Sequence, residues 1–258
     1  MVNGPSVAPF LDAFQIGTGA VVAIAGSGGK ATLMYHLALE AVQWGLTVLT
    51  TSSTHLHPPT SRQSNGLFLT AETPDWQSRI PEALAARQHV TVVGARPRPD
   101  KLRGLTVEEL TLLHSVCQPD VMIIKADGAR TRPFKAPGPD EPVVPPWTTH
   151  GVVVVGIHSV GLSLDERTTH RPERVAELTG LRQGECLTEE AVACVASHPD
   201  TYSPAFPPHA RLALYLGWVD TSERQAQAQR IADAVKPRVF SSVFCGSVDG
   251  NHSSITRL

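Results

Sequence analysis

Cysteine is scarce and scattered in this 258-residue chain. Cys117, Cys186, Cys194 and Cys245 include no Cys-x-x-Cys pair, so zinc-finger spacing is absent. Isolated cysteines fit a reduced compartment, each as a small buried apolar residue. Aromatic residues make up only 5% of the chain, which removes a stacking platform for nucleic acid. The formal net charge is −2, which excludes a broad basic footprint. No long hydrophobic run occurs. The most apolar stretch, residues 152–157, falls far below the roughly 20 residues of a membrane span. Residues 1–17 carry no basic region and no long apolar run, so no secretory signal is read there. The expected location is the cytoplasm, with neither membrane nor nucleic acid as partner. What is present is 41% apolar and 18% charged residues, a globular composition. The length suits one large domain or two small ones.

Strand and helix patterns alternate along the chain. Residues 21–25 form an apolar run, and Gly26-Ser27-Gly28-Gly29-Lys30 follows it. Leu33, Met34, Leu37, Ala38, Ala41 and Trp44 then recur at helical spacing, with Gly45 at the expected C-cap. Residues 46–51 read as the next strand. This strand–loop–helix–strand order is a βαβ unit, which favours parallel pairing. Further helices are expected at 75–88, 106–116, 171–180, 188–196 and 222–235. Further strands are expected at 90–93, 121–124, 152–157, 212–216 and 239–244. Continuous apolar strands interleaved with helices predict a doubly wound, mainly parallel sheet with helices on both faces. Composition marks 57–66, 96–100 and 129–150 as loops. The last of these carries Pro133, Pro137, Pro139, Pro142, Pro145 and Pro146, so it reads as semi-rigid and extended. The chain is taken as one domain over 1–258, with a C-terminal subregion at 160–210.

The glycine cluster has the composition of a phosphate cradle. A phosphate needs several backbone N–H groups aimed at it and close approach to the main chain, and glycines allow both. The helix N-terminus adds roughly half a positive charge. Lys30 adds a full one and is expected to reach outer phosphates. The usual pattern, G-x-x-x-x-G-K-S/T, is incomplete. Ile24 stands at the first glycine and Ala31 at the hydroxyl position. Thr32 comes one residue late, roughly 100° further round the helix. The competing reading is an ordinary glycine turn with a surface lysine.

Asp127 ends the strand at 121–124 and is placed to support magnesium, directly or through water. Its rival role is a helix or turn cap. Arg130, Arg132 and Lys135 follow, either clamping an anion or forming a solvated basic face. Thr54 and His55 are expected to line the phosphate site. His55 and His57 have metal-pair spacing but no acidic or thiol neighbour. His158 ends the strand at 152–157. In an open parallel sheet the glycine loop, Thr54, Asp127 and His158 share one edge, where ligands bind.

Further motifs complete the pattern: Thr50-Thr51-Ser52-Ser53-Thr54-His55, Lys125-Ala126-Asp127-Gly128-Ala129-Arg130, Phe134-Lys135-Ala136-Pro137, Glu141-Pro142-Val143-Val144-Pro145 and Thr169-His170-Arg171-Pro172-Glu173. Together these resemble the YqeC family, over about residues 20–247. The resemblance implies a phosphate-loop NTPase-type fold and an accessory role for a selenium-dependent molybdenum hydroxylase. It implies ATP or GTP, with magnesium, as cofactors. Gly26, Ser27, Gly28, Gly29, Lys30, Ala31, Thr32 and Thr54 would hold phosphate. His55, Arg130, Lys135, His170 and Arg171 would contact the ligand, and Lys30 and Asp127 would serve any chemical step. A competing reading has Thr169 capping the helix and Arg171 on the surface.

Three positions depart from the family pattern. Ala31 replaces a hydroxyl, and Lys125 replaces a glutamate. Gly217-Trp218-Val219-Asp220 stands where an Asn-Lys-x-Asp stretch is usual, so guanine preference is not supported. If the strand continued, Lys125 would share a face with Asp127. Two unit charges about 4 Å apart interact by roughly 4 kcal/mol at an effective dielectric of 20, enough to weaken magnesium capture. The expectation is nucleotide binding without efficient hydrolysis. The alternatives are an active NTPase or phosphotransferase, and a degenerate scaffold that binds only proteins.

Overall fold

A computed structural model describes residues 9–249 and 252–258. Of the segment 1–17, in which no secretory signal is read, the first eight residues lie outside the described ones. The chain divides into two compact units.

The first unit holds the described residues up to 23, together with 31–126 and 143–148. Its elements are α1 (Pro9–Phe14), β1 (Ala20–Gly26), α2 (Lys30–Gln43), β2 (Val48–Ser52), β3 (Leu67–Leu69), α3 (Trp76–Arg87), β4 (His89–Val93), β5 (Ala95–Arg98), β6 (Lys101–Arg103), α4 (Val107–Cys117) and β7 (Val121–Lys125). Its strands run in the order β1-β7-β2-β4-β3. β2 lies parallel to β7 and β4, and β3 lies parallel to β4. Buried Leu49, Val90, Val92, Met122 and Ile124 from the strands meet Ile80 and Leu84 of α3 and Leu110 and Leu113 of α4. The same side chains that form apolar runs in the sequence thus seal this core. Thr106 starts α4 with a capping box: its hydroxyl accepts the Glu109 N–H, and the Glu109 carboxylate returns to the Thr106 N–H.

The second unit holds residues 24–30, 127–142 and 149–258. Its elements are β8 (Phe134–Lys135), β9 (His150–Gly156), β10 (Thr169–His170), α5 (Pro172–Thr179), α6 (Glu189–Ser197), β11 (Arg211–Gly217), α7 (Ser222–Ala234), β12 (Ser242–Asp249) and β13 (His252–Arg257). The order is β9-β11-β12-β13. β11 is parallel to both β9 and β12, and β13 closes the edge antiparallel to β12. β8 and β10 form a separate parallel pair in which Lys135 lies opposite His170. The last residues of β1 belong to this unit. They run on beside β9, with the Ser27 N–H donating to the Val154 carbonyl at 2.8 Å and the Gly156 N–H donating to the Ser27 carbonyl at 3.1 Å.

The chain is therefore mixed α/β, with mainly parallel strands, as its alternating pattern predicts. Several local expectations need correction. Residues 96–100 are not a loop: they lie mostly in β5, which pairs antiparallel with β6. The strand expected at 239–244 begins only at Ser242, because Pro237 and the left-handed Arg238 (φ 69°) keep the chain turning. The strand expected at 152–157 starts earlier and ends at Gly156, where Ile157–Ser159 coil into a short 3-10 turn. The segment 129–150 is mostly irregular but contributes β8 and the start of β9. Cys117 and Cys245 are buried, whereas Cys186 is exposed, against the expectation of uniform burial. No helix among the described residues is long and apolar enough to cross a membrane.

Candidate functional site

β1 ends at Gly26 and α2 begins at Lys30, so the glycine cluster is the turn between them. Gly26, Gly28 and Gly29 all have positive φ, at 101°, 72° and 137°. Two of them are also fixed by space. A Cβ at Gly26 would lie 2.1 Å from the Val154 carbonyl oxygen, and one at Gly28 would lie 2.7 Å from the Gly156 Cα. The glycines thus let the loop press against the end of β9. In this geometry the N–H groups of Gly28, Gly29 and Lys30 meet no acceptor among the described residues. Consecutive free N–H groups at a helix N-terminus form an anion-binding concavity.

Lys30 folds back over the loop. Its Nζ donates to the Gly26 carbonyl and lies 3.1 Å from Asp127 Oδ1. Asp127 Oδ2 accepts from the Gly26 N–H at 3.0 Å and from Lys135 Nζ at 2.8 Å. Lys135 Nζ donates again to the Gly128 carbonyl and to Glu141 Oε2, both at 2.7 Å. Glu141 in turn accepts both arms of the Arg171 guanidinium, at 2.9 and 3.1 Å. A continuous chain of charges results: Lys30, Asp127, Lys135, Glu141, Arg171. The Asp127 and Lys135 side chains have 0% exposure, and that of Lys30 has 6%. Counted at their ordinary charges, three cations face two carboxylates, a formal excess of one positive charge along a chain whose Arg171 end is part-exposed.

Burial shifts the titration of these groups. Burial lowers the Lys30 pKa and nearby Lys135 lowers it further, while Asp127 and Glu141 oppose both. Burial alone would raise the Glu141 pKa, but the hydrogen bonds from Arg171 and Lys135 prevail and bring it to about 2. Burial, followed by the charges of Arg171, Lys135 and Arg130, takes His170 to about 4, so its ring is neutral at pH 7.

The sequence-derived site residues separate clearly. Gly26, Ser27, Gly28, Gly29, Lys30, Asp127, Arg130, Lys135, His158, His170 and Arg171 all lie in the second unit. Lys135 is neither a solvated cation nor a free anion clamp, because it is sealed between two carboxylates. Arg130 is exposed, in left-handed backbone with φ 49°. Arg171 does not sit alone on the surface: it pairs with Glu141, and Thr169 is buried without capping α5. Thr54 and His55 belong to the first unit, after β2. The Thr54 N–H donates to the Ser52 hydroxyl, and His55 is exposed. His57 Nδ1 lies 2.7 Å from the Asp100 carbonyl. Lys125 ends β7, so the same-face argument linking it to Asp127 fails. Its Nζ donates to the His55 carbonyl, and the ammonium groups beside Asp127 are those of Lys30 and Lys135. Sequence reasoning gave Glu141 no role of its own.

Magnesium requires oxygen ligands in near-octahedral geometry. Asp127 Oδ2 is held by an N–H and an ammonium, and Oδ1 faces Lys30. Ala31 offers no oxygen from its side chain, and Thr32 is exposed on α2. These residues do not fit a resident magnesium ion. Among the described residues no three His, Cys, Asp or Glu side chains form a metal-binding group.

The family description "YqeC protein" matches residues 22–173, more than half of the chain. The chain belongs to the YqeC family. The uncharacterized protein YqeC of Escherichia coli (strain K12) is 25% identical over 245 residues, covering 92% of this chain and 90% of that protein. No solved structure matches the chain. The stretch matched to YqeC spans the glycine loop and every member of the charged chain, from Lys30 to Arg171. It ends before β11 and the segment 217–220.

Proposed function

We propose that this chain binds the phosphate groups of a nucleotide, ATP or GTP, at the glycine loop and hydrolyses it weakly or not at all. The observation that carries this reading is the run of three unclaimed N–H groups beside a charge chain, buried at its Lys30 end, with one formal positive charge in excess. A phosphate supplies acceptors for the former and balances the latter. The pinning of Asp127 supports binding over turnover, because a carboxylate held by two ammonium groups is poorly free to recruit magnesium or accept a proton. The motif resemblance supports a further role as an accessory in maturing a selenium-dependent molybdenum hydroxylase.

Calorimetry with ATP, GTP and ADP, with and without magnesium, tests the reading on the wild type and on Lys30→Met. Circular dichroism checks that the variant folds. The wild type is expected to bind in saturable fashion, with affinity roughly tenfold or more weaker in the variant, the worth of one charge-assisted contact. Phosphate release is expected to stay at background. Release at ordinary enzyme rates that disappears in Lys30→Met would make the chain an active NTPase. No heat with any nucleotide would leave only the protein-binding scaffold.

A further inference from the structure

Trp218 directly follows β11 and adopts left-handed backbone with φ 66°. A bulky residue seldom takes that conformation unless its surroundings hold it there. Here the turn brings the indole onto the glycine loop. Its Nε1–H donates to the Gly28 carbonyl at 2.9 Å. The same nitrogen is the nearest atom, at 3.6 Å, to where a Cβ on Gly29 would sit. Arg224 fixes the turn, donating to the Trp218 carbonyl at 3.2 Å and to Asp220 Oδ1 at 2.8 Å. Despite these restraints Trp218 remains 49% exposed. Its polar handle is satisfied while half of its surface meets water, so burial does not account for its position.

The wall beside it is also aromatic. His158 packs against Trp218 with ring centroids 5.2 Å apart and planes tilted by 68°. His158 Nδ1 is buried and has no hydrogen-bond partner among the described residues. Burial and the charge of Arg224 lower the His158 pKa, which favours the neutral ring. A half-exposed indole with a neutral imidazole at its side, anchored on the loop whose N–H groups are free, fits an aromatic guest attached to a phosphate.

We propose that Trp218 is the base platform of the nucleotide site, its exposed indole stacking a purine whose phosphates rest on the N–H groups of Gly28, Gly29 and Lys30. This rests on the phosphate-binding reading given above. Stacking uses the π-face common to all bases and does not read hydrogen-bonding edges. The site therefore favours purines by area and discriminates little between adenine and guanine.

The test is calorimetry of ADP, GDP, CDP and pyrophosphate with the wild type, Trp218→Ala and Trp218→Phe. The wild type is expected to bind ADP and GDP roughly tenfold tighter than pyrophosphate, with CDP between them. Trp218→Ala should weaken ADP several-fold more than pyrophosphate, closing most of the gap between them. Trp218→Phe should keep most of the purine advantage. Equal wild-type affinity for pyrophosphate and ADP would overturn the platform and leave phosphate binding standing. Equal weakening of ADP and pyrophosphate in Trp218→Ala would also overturn it, since that indicates only a grip on the Gly28 carbonyl. Failure of the wild type to bind pyrophosphate or any nucleotide would overturn both proposals together.

Discussion

Glu141 shows how strongly a single residue is committed to this site. It accepts from Lys135 on one side and from both arms of Arg171 on the other. Those contacts hold its pKa at about 2, against an ordinary 4.5. A carboxyl with a depressed folded pKa stabilises fully above its unfolded value and loses that contribution as pH falls toward the folded one. The stability gap between wild type and Glu141→Gln, measured by urea unfolding, should therefore be constant above about pH 5.5 and shrink steadily toward about pH 2. A gap that widens on acidification would contradict the assigned contacts. Lys135 makes the same point from the other charge. Its sequence position suggested a ligand contact, yet it has 0% exposure and donates to Asp127, Gly128 and Glu141. No pattern in a single sequence distinguishes a buried ammonium from a solvated one.

The glycine loop is where the elements decide what the residues can do. Gly28→Ala must place a Cβ at φ 72° and 2.7 Å from the Gly156 Cα, whereas Gly161→Ala faces φ 82° with nothing within 4 Å. Left-handed strain alone costs about 1 kcal/mol. Gly28→Ala should therefore destabilise more than Gly161→Ala by chemical denaturation, by about 1 kcal/mol or more. Equal costs would mean that the loop does not press on β9 as described. The elements flanking this loop were legible in the sequence, because buried strands read as apolar runs and α2 as a helical stripe. The β5–β6 hairpin was not. Pro97 looks like a loop residue, but an edge strand tolerates a missing N–H on its solvent side, and Pro99 lies in the turn between the two strands. β13 was also illegible: an edge strand with polar residues such as Ser253, Ser254, Thr256 and Arg257 carries little apolar signal.

Across the whole molecule, the site is assembled from three separate stretches of chain, 24–30, 127–142 and 149–258, all in one unit. The polar residues that follow apolar strands, Lys30 and Asp127 among them, were legible as members of the candidate site. The Glu141–Arg171 pair was not, because it spans 30 residues and depends on the two-residue β8–β10 pairing that sets Lys135 opposite His170. Trp218 was legible only as a departure from a motif, since a left-handed turn after a strand leaves no compositional trace. The proposed chemistry of this site stands on the loop amides receiving an anion without help from a metal. The most direct measurement is a pyrophosphate titration of the 15N-labelled protein in EDTA, following the amide resonances. Saturable shifts of Gly28, Gly29 and Lys30 are predicted, larger than those elsewhere in the chain. Resonances of these three residues that stay still, or move only when magnesium is restored, would contradict it.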